Sequence, residues 1–552
     1  MAFQDLLDQV GGLGRFQIIQ MAFLFTYNAM AQTHTLLENF TAVILGHRCW
    51  VHILDNATVS DNDIGTLSQE ALLRISIPLD SSLRPDKCHR FIHPQWQLLH
   101  MNGTFSNMSE VDTEPCMDGW VYDRSLFLST TVTEWDLVCE SQSLNSVSKF
   151  FFMAGMLIGN IVYGTLSDRF GRRLLLTWCL LQLAVADTCA TFAPTFLVYC
   201  SLRFLAGMST TTILTNAILL IVEWTSPKYQ AMGTTMAVCA TSFGNILLGS
   251  LAFAIRNWHT LQLVVSIPMF FFFISSRWIS ESARWLIINN KPEEGLQELK
   301  KAARVNGMKT SADALTIEAV RSTMKEELKA TQTKPTLCDL FHTPNLCKRI
   351  CLLSLVRFAT ILPTFGLILH LQHLGGNVFL VQVLLGVVNL PANWVSLWAL
   401  KHRGRRISIF FFMSMMGITF LAITFVPSEM PTVRMILTTL GGGICFASIT
   451  CCFTQANELL PTIIRATAFG IIGVCGSLGA AVAPLLMTLE TYAEPLPWII
   501  YGASCIFVGL VVFLLPETRN HQLPDSLQDI ENGGKGSRKT EQEDTSIKVT
   551  HF

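Results

Sequence analysis

Long apolar runs recur along most of this chain, and short polar segments separate them. A helix needs about 20 mostly apolar residues to cross a bilayer. We expect helices of this kind near 15–36, 145–166, 174–192, 196–222, 230–252, 260–278, 350–370, 378–399, 407–426, 432–456, 466–489 and 496–515. The pattern predicts an all-α membrane protein with twelve transmembrane helices.

The first apolar run is the weakest, because polar side chains interrupt its second half. These are Tyr27, Asn28, Gln32, Thr33 and His34. Polar groups are costly in lipid, so we expect them to face the protein interior or a wet cavity. This end of the first helix is therefore a candidate lining of a transport pathway.

The composition excludes an ordinary soluble protein. Half of the residues are apolar, 14% are charged, and 36 Phe residues stand against 7 Tyr. Such a chain cannot cover itself with a normal polar surface. The net charge of -1 gives no indication of a nucleic-acid partner.

The segment 164–173 (GTLSDRFGRR) lies between the second and third apolar runs. We expect Gly164 to let one helix end close against its neighbour, and Gly171 to form a turn with positive φ. Asp168 is predicted to face the positive end of a helix dipole. The segment also carries Arg169, Arg172 and Arg173. A generic basic anchor is the alternative interpretation; it explains the arginines but not the glycines and the aspartate.

The distribution of basic residues predicts the orientation in the membrane. The loops 167–173 and 400–406 are rich in arginine, whereas the alternate short loops offer little beyond Arg256. The positive-inside rule makes the arginine-rich loops cytoplasmic, and twelve spans then put both termini in the cytoplasm. Asp5 and Asp8 precede the first basic residue, Arg15, so the first helix is predicted to be an uncleaved signal anchor.

The polar segment 37–144 falls on the predicted outside. It contains four glycosylation sequons, at Asn39, Asn56, Asn102 and Asn107. It also contains four cysteines, Cys49, Cys88, Cys116 and Cys139. We expect a glycosylated extracellular loop with two disulfides, for which three pairings are open.

The remaining segments complete the predicted domain organisation. Residues 1–14 form a cytoplasmic N-terminus, 15–278 and 350–515 form two six-helix bundles, and 516–552 form a cytoplasmic tail. The linker 279–349 mixes charges at helical spacing. We interpret it as short amphipathic cytoplasmic helices, with a partly disordered linker as the alternative.

The two bundles repeat the same motif, as in many transporters. The segment 399–406 keeps Gly404, Arg405 and Arg406 after Arg403, but has Lys401 and His402 in place of the Asp-Arg pair. Segment 223–230 resembles 458–465; it begins with Glu223 where the other has Glu458, and ends with Gln230 where the other has Arg465. We predict that each Glu pairs with an arginine of the facing motif, in a gate contact that breaks as the halves rock. Solvated helix ends are the alternative.

These motifs and the two six-helix halves resemble the major facilitator superfamily. Further motifs resemble the organic anion transporter branch of solute carrier family 22: 37–40 (LENF), 47–50 (HRCW), 120–123 (WVYD), 134–139 (EWDLVC), 281–286 (ESARWL) and 515–518 (LPET). The resemblance implies two pseudo-symmetric bundles and alternating access around a central site, without consumption of ATP. The segment 533–537 (GGKGS) lacks the strand and helix of a nucleotide-binding loop. We expect neither enzymatic activity nor a cofactor or metal.

The resemblance leaves the charge of the substrate open. Many organic anion transporters have a lysine in the eighth helix and an arginine in the eleventh, and cation carriers tend to have an aspartate at the eleventh-helix position. Our alignment places neutral Asn393 and Ser477 there. Other groups must then offset the cost of desolvating an anion.

The candidate substrate-binding residues are neutral donors and aromatic side chains. They are Asn389, Asn393, Ser477, Gln382, His370, Phe358, Phe365, Trp394, Trp398, Phe446 and Phe453. Arg203 is interpreted as a structural partner, and Arg357, near the inner end of the seventh helix, as a side chain that snorkels to the interface. We predict an apolar pocket for large amphipathic anions such as steroid sulfates or glucuronides.

A negative-inside potential opposes entry of a monoanion by about 2.3 kcal/mol per 100 mV, so we expect exchange against a cytosolic organic acid at the plasma membrane. A carrier of cations or of zwitterions such as carnitine, and a transport-inactive scaffold, are the alternatives. The C-terminal residues Thr550, His551 and Phe552 fit a PDZ-domain ligand, with an ordinary tail as the alternative.

Overall fold

The computed structural model describes residues 2–55, 68–80, 84–99, 112–308, 315–324, 344–371, 377–427, 430–460, 465–493 and 495–518. The chain divides into two compact units. The first comprises Met1–Asn39, Ser146–Ala254 and His259–Phe552, and the second Phe40–Asn145 with Ile255–Trp258. The predicted glycosylation sites Asn56, Asn102 and Asn107, and the PDZ-type tail, lie outside the described residues.

Each of the twelve predicted spans contains a long helix. These are α1 (Arg15–Leu36), α2 (Ser143–Phe170), α3 (Arg172–Thr191), α4 (Phe196–Trp224), α5 (Pro227–Ala254), α6 (Trp258–Ser275), α7 (Pro344–Leu369), α8 (Val378–Arg403), α9 (Arg405–Phe425), α10 (Pro431–Leu459), α11 (Arg465–Met487) and α12 (Leu496–Val511). By length and composition, eleven helices in the described part of the chain are apolar enough to cross a membrane, and α1 falls short. The polar residues in the second half of α1 account for this difference. We call α1–α6 the first half and α7–α12 the second half.

Single glycines separate two pairs of these helices, and we call the end of the helices near them the arginine-rich end. Gly171 stands alone between α2 and α3 with φ of 103°, and Gly404 between α8 and α9 with φ of 92°. Positive φ favours glycine, so the prediction for Gly171 is confirmed. The prediction for Gly164 is wrong, because a Cβ at that position would have no neighbour within 4 Å.

The two halves pack closely along α5 and α8. A Cβ added at Gly386 would lie 2.8 Å from the carbonyl oxygen of Ser242, and one at Gly249 would lie 3.2 Å from that of Phe379. Small residues allow membrane helices to approach in this way. Where α5 meets α8, the backbones of the two halves are therefore in close contact.

Shorter helices lie before α1 and after α6. They are Ala2–Val10, Ala283–Ile288, Pro292–Val305 and Ile317–Thr323, with a 3₁₀ turn at Ser276–Trp278. Asn306, just after the third of these helices, accepts a hydrogen bond from the Phe16 amide at 2.9 Å and donates to the Val10 carbonyl at 2.9 Å. The described part of the linker therefore folds as helices that hold the start of α1.

The second unit adds a small amount of β structure that the all-α prediction did not include. Strand β1 (His47–Cys49) pairs antiparallel with β4 (Trp120–Tyr122), and β2 (His89–Phe91) with β3 (Thr113–Pro115). Short helices and 3₁₀ turns complete the segment between α1 and α2, at Glu38–Thr41, His52–Asp55, Gln69–Ser76, Trp96–Leu99, Thr131–Glu134 and Cys139–Ser141.

Two disulfides whose sequence intervals overlap cross-link this unit. Cys49 pairs with Cys116, and Cys88 with Cys139. The Arg90 guanidinium adds an ion pair to Asp118 at 2.6 Å and donates to the Trp50 carbonyl at 2.8 Å. The structure thus selects one of the three pairings that the cysteine count allowed.

Asn39 is the one predicted glycosylation site among the described residues, and the structure argues against it. Its side chain is only 4% exposed, and Nδ2 donates to the Ile368 carbonyl at 2.7 Å. A glycan on Nδ2 has no room in this arrangement. The sequon at Asn39 therefore has a packing role here.

Candidate functional site

Four ionisable side chains form a buried cluster inside the first half. The Arg203 guanidinium on α4 donates from Nε to Glu38 at 2.9 Å and from Nη1 to Asp187 of α3 at 2.9 Å. His34 of α1 contacts the second carboxylate oxygen of Asp187. All four side chains are at most 3% exposed. Phe152 of α2 lies 4.3 Å from the Arg203 guanidinium.

This cluster exists because a charge inside a membrane helix must be paired or hydrogen-bonded. Helices α1, α3 and α4 each contribute one ionisable side chain that would be costly to expose to lipid alone. The fourth, Glu38, lies just beyond the end of α1. The interpretation of Arg203 as a structural partner agrees with these contacts. His34 Nε2 is buried and has no hydrogen-bond partner within the described structure.

At the end opposite to the arginine-rich end, polar side chains of the first half hold the end of α7. Lys149 Nζ donates to the Leu369 carbonyl at 2.7 Å, and Asn39 Nδ2 donates to the carbonyl of the preceding residue, Ile368. The last carbonyls of a helix have no partner within it, and they form the negative end of its dipole. An ammonium and an amide at this position therefore join the two halves at this end.

At the arginine-rich end, each half repeats one arrangement. Glu281 accepts hydrogen bonds from the amides of Arg172 and Arg173 at 3.1 and 3.0 Å. Glu517 accepts from the amides of Arg405 and Arg406 at 2.9 and 3.0 Å. A carboxylate thus caps the N-terminus of α3 and of α9, where free amides and the helix dipole attract an anion.

Asp168 does not have the role predicted for it. Its side chain is 74% exposed and pairs with Arg172 of its own segment at 3.0 Å. Glu281, more than a hundred residues further along the chain, occupies the helix N-terminus instead. Burial raises the pKa of the Glu281 carboxyl above its ordinary value, although hydrogen bonds from the amides of Ser282, Arg173 and Arg172 oppose that shift.

The predicted glutamate–arginine contacts form within each half. Glu223 lies 3.4 Å from Arg172 Nε, and Glu458 lies 2.8 Å from Arg405 Nη2. Because neither pair bridges the halves, rocking of rigid halves would not break them, and the predicted gate between facing motifs is wrong for these pairs. Other arginines of the motifs do not show such a pair within the described part of the chain. Arg169 Cζ lies 5.5 Å from the centroid of the Phe170 ring, and Arg403 is exposed. The side chain of Arg465 lies outside the described residues.

We expect Glu281→Ala to lower the free energy of unfolding by about 1–3 kcal/mol, because it leaves two amides of α3 without an acceptor. Thermal unfolding of the purified protein in detergent measures this loss. Glu517→Ala removes the matching cap of α9 and should have a similar effect. Asp168→Ala serves as the control, and an equal loss there would contradict the role assigned to Glu281.

Two of the predicted substrate-binding residues make hydrogen bonds between the halves. Asn389 Nδ2 of α8 donates to Ser242 Oγ of α5 at 2.9 Å, and Asn160 Nδ2 of α2 donates to Ser477 Oγ of α11 at 2.8 Å. Asn393 donates to the Asn389 side chain at 2.8 Å. Asn389 and Ser477 therefore lie at the interface between the two halves.

The other predicted binding residues are distributed differently. Gln382 is fully buried, and its Oε1 lies 3.4 Å from Asn39 Nδ2. His370, just after α7, is also buried, and its Nδ1 lies 3.2 Å from the Gly366 carbonyl oxygen. Trp394, Trp398 and Phe453 are 71%, 59% and 50% exposed, whereas Phe358, Phe365 and Phe446 are partly buried.

The sequence predicts that Arg357 lies near the inner end of α7. This prediction is wrong, because the helix begins at Pro344 rather than at residue 350. Arg357 lies near the midpoint of the helix instead. A Cβ added at Gly476 would lie 3.1 Å from Arg357 Cγ and 3.3 Å from its Nε. The guanidinium therefore packs against α11 at Gly476, the residue before Ser477.

Sequence reasoning missed the roles of Lys149, Asp187, Glu281 and Glu517. A signal for the first two was present, since each is a charge inside an apolar run. The two capping glutamates lie in the family motifs 281–286 and 515–518, at a similar distance from the arginine-rich motif of each half, but the sequence did not show what they contact. One group with metal-ligand spacing, His47 with Cys88 and Cys139, occurs among the described residues, but its cysteines form a disulfide.

Comparisons with known proteins match this architecture. The model of the Major Facilitator Superfamily matches residues 140–484. Solute carrier family 22 member 25 from Homo sapiens is 63% identical over 537 residues, which is 97% of this chain and 98% of that relative. A protein named steroid transmembrane transporter SLC22A24, also from Homo sapiens, is 57% identical and covers 100% of both chains.

Among solved structures, the inward open conformation of the xylose transporter XylE from E. coli superposes with a TM-score of 0.55. The match has 18% identity and covers 72% of this chain and 91% of that one. At this identity the likeness shows the fold.

Proposed function

The chain belongs to solute carrier family 22 of the major facilitator superfamily, and from this premise we propose that it exchanges amphipathic organic anions across the plasma membrane. It is a multi-pass membrane transporter by its family. Steroid sulfates and glucuronides are the proposed substrates, and a cytosolic organic acid is the proposed exchange anion. Both termini are proposed to be cytoplasmic.

The observation that carries this proposal is the polar interface between the halves in the middle of the helices. Asn160 bonds Ser477 there, and Arg357 lies on the neighbouring helix next to Gly476. Polar and charged groups inside membrane spans are costly, and they commonly mark a pathway for substrate or ions. A cation with neutral donors fits an anionic headgroup, and relatives named as steroid transporters suggest an apolar body attached to it.

Alternating access supplies the mechanism. The contacts of Lys149 and Asn39 with the end of α7 join the halves at the end opposite to the arginine-rich one. Opening on that side must break both hydrogen bonds, while the intra-half pairs at Arg172 and Arg405 remain intact. Exchange is favoured because an outgoing anion of equal charge cancels the work of about 2.3 kcal/mol per 100 mV against a negative-inside potential.

Uptake measurements in cells expressing this chain test the proposal. Labelled estrone sulfate is compared with carnitine and with tetraethylammonium, with and without preloaded organic acids. We expect saturable estrone sulfate uptake that increases on preloading. Uptake of carnitine or the cation alone would identify a carrier of the other charge class, and no uptake despite surface expression would identify a scaffold.

We expect Ser477→Arg to lower the KM for a dicarboxylate such as glutarate by at least about tenfold, since a second cation on α11, one residue after the Gly476 that Arg357 contacts, can hold its second carboxylate. Initial rates of glutarate uptake over a concentration series measure this change. Ser477→Gln is the control, because it adds length and donors without charge. Equal effects of Arg and Gln would contradict the role of charge at position 477.

A further inference from the structure

Arg357 carries a full positive charge at the middle of α7. Helix α7 spans Pro344–Leu369, so this charge is about as far from either end as the helix allows. Arginine keeps its proton under all ordinary conditions. A charge inside a candidate membrane span is rare, and it marks a pathway for substrate or ions by default.

Arg357 has no ion-pair partner among the described residues. Its Nη1 is buried and donates no hydrogen bond there. The buried arginine of the first half, Arg203, contrasts with it, since Asp187 and Glu38 both accept hydrogen bonds from that guanidinium. Burying a charge without a partner costs several kcal/mol. Arg357 therefore lacks the compensation that Arg203 has.

Neutral polar groups near Arg357 also lack hydrogen-bond partners among the described residues. Thr360 Oγ1 of α7 lies 3.6 Å from Cys452 Sγ of α10. The two helices run in opposite directions. One turn from this contact toward the arginine-rich end lie Arg357 on α7 and Gln455 on α10. Both polar atoms of Gln455 and the hydroxyl of Ser354 are buried, and no described residue bonds them. Donors and acceptors are thus left free at the depth of Arg357.

We propose that Arg357 binds the anionic group of the substrate and replaces the cation that is absent at Ser477 and Asn393. This inference rests on the proposed function and specifies its substrate class. The guanidinium can donate two parallel hydrogen bonds to a sulfate or carboxylate. A single cation favours an amphipathic monoanion over a dicarboxylate.

Binding to purified full-length protein in detergent tests this assignment. Labelled estrone sulfate and uncharged estrone are compared on the wild type and on Arg357→Gln. We expect the substitution to weaken estrone sulfate binding at least about tenfold and to leave estrone binding unchanged. Arg434→Gln is the matched control, because Arg434 lies near the other end of α10 and donates to the Val426 carbonyl.

A rescue experiment separates charge recognition from packing. We expect Ser477→Arg to restore estrone sulfate binding in the Arg357→Gln background, because Ser477 follows Gly476 on α11 and a long side chain there can return a guanidinium to this part of the interface. Failure of this rescue, or wild-type estrone sulfate affinity in Arg357→Gln, would overturn the inference. If the wild type takes up estrone sulfate in cells, either result leaves the proposed function standing; absence of wild-type uptake defeats both.

Chemical modification of the wild type gives a test that needs no variant. Phenylglyoxal reacts with accessible arginines, and peptide mass spectrometry reports the extent at Arg357. We expect estrone sulfate to slow this modification at least about tenfold near saturation, and estrone to leave it unchanged. Equal modification of Arg357 with and without estrone sulfate would overturn the inference, even if Arg357→Gln does not fold.

Discussion

Arg203→Gln is expected to lower the free energy of unfolding by about 3–5 kcal/mol and to prevent most of the protein from reaching the cell surface. The substitution leaves Glu38 and Asp187 facing each other in a buried site without their shared cation. Two carboxylates in that situation repel each other and have lost the hydrogen bonds that Arg203 donates to them. Thermal unfolding in detergent and surface biotinylation measure the two effects.

Two further variants give this prediction its controls. Arg203→Lys keeps the charge, but an ammonium cannot reproduce the fork that reaches both carboxylates, so we expect an intermediate loss. Adding Asp187→Asn to Arg203→Gln removes one uncompensated charge and should recover part of the stability. Wild-type unfolding temperature and surface level in Arg203→Gln would show that the cluster does not stabilise the fold.

Removing either disulfide is expected to destabilise the second unit by about 4 kcal/mol, because each closes a loop of more than fifty residues. Cys49 and Cys116 are 67 residues apart, and Cys88 and Cys139 are 51 apart. The described strands of this unit are three residues long, so they offer few other cross-links. The double variants Cys49→Ser/Cys116→Ser and Cys88→Ser/Cys139→Ser test this with limited proteolysis and surface biotinylation.

The matched control for the disulfides uses a cysteine without a bridge. Cys189 is exposed at the end of α3 and is not paired. We expect Cys189→Ser to leave proteolysis and surface level unchanged. A protease-resistant second unit in both double variants would mean that its strands and ion pairs suffice without the disulfides.

The sequence predicted the helices well because lipid imposes a simple rule. A span must be about 20 residues long and mostly apolar, and both features can be read locally. The weak apolar character of α1 was predicted for the same reason, and α1 is the long helix that falls short by composition. Bounds were less accurate where a helix continues beyond its apolar run. The start of α7 at Pro344 moved Arg357 from the predicted helix end to the middle.

Partners of polar groups were much harder to predict, since they depend on which helices meet. Asp168 and Glu281 are both acidic residues near arginines, and local sequence favoured Asp168 as the group at the helix N-terminus. The fold instead brings Glu281 to the amides of α3. In the same way, the sequon at Asn39 is a valid local pattern, but its side chain is buried against α7.

The sequence by itself determined the membrane location, the twelve helices, the positive φ of Gly171 and the membership of four cysteines in one segment. These follow from the hydrophobic pattern and from backbone sterics, which act over a few residues. Only the tertiary structure decided the disulfide pairing, the His34–Asp187–Arg203–Glu38 cluster and the position of Arg357 beside Gly476, where no described residue forms an ion pair with it. The physical reason is that a buried charge is stabilised or left uncompensated by groups far away in sequence, and only the packing of helices brings those groups together.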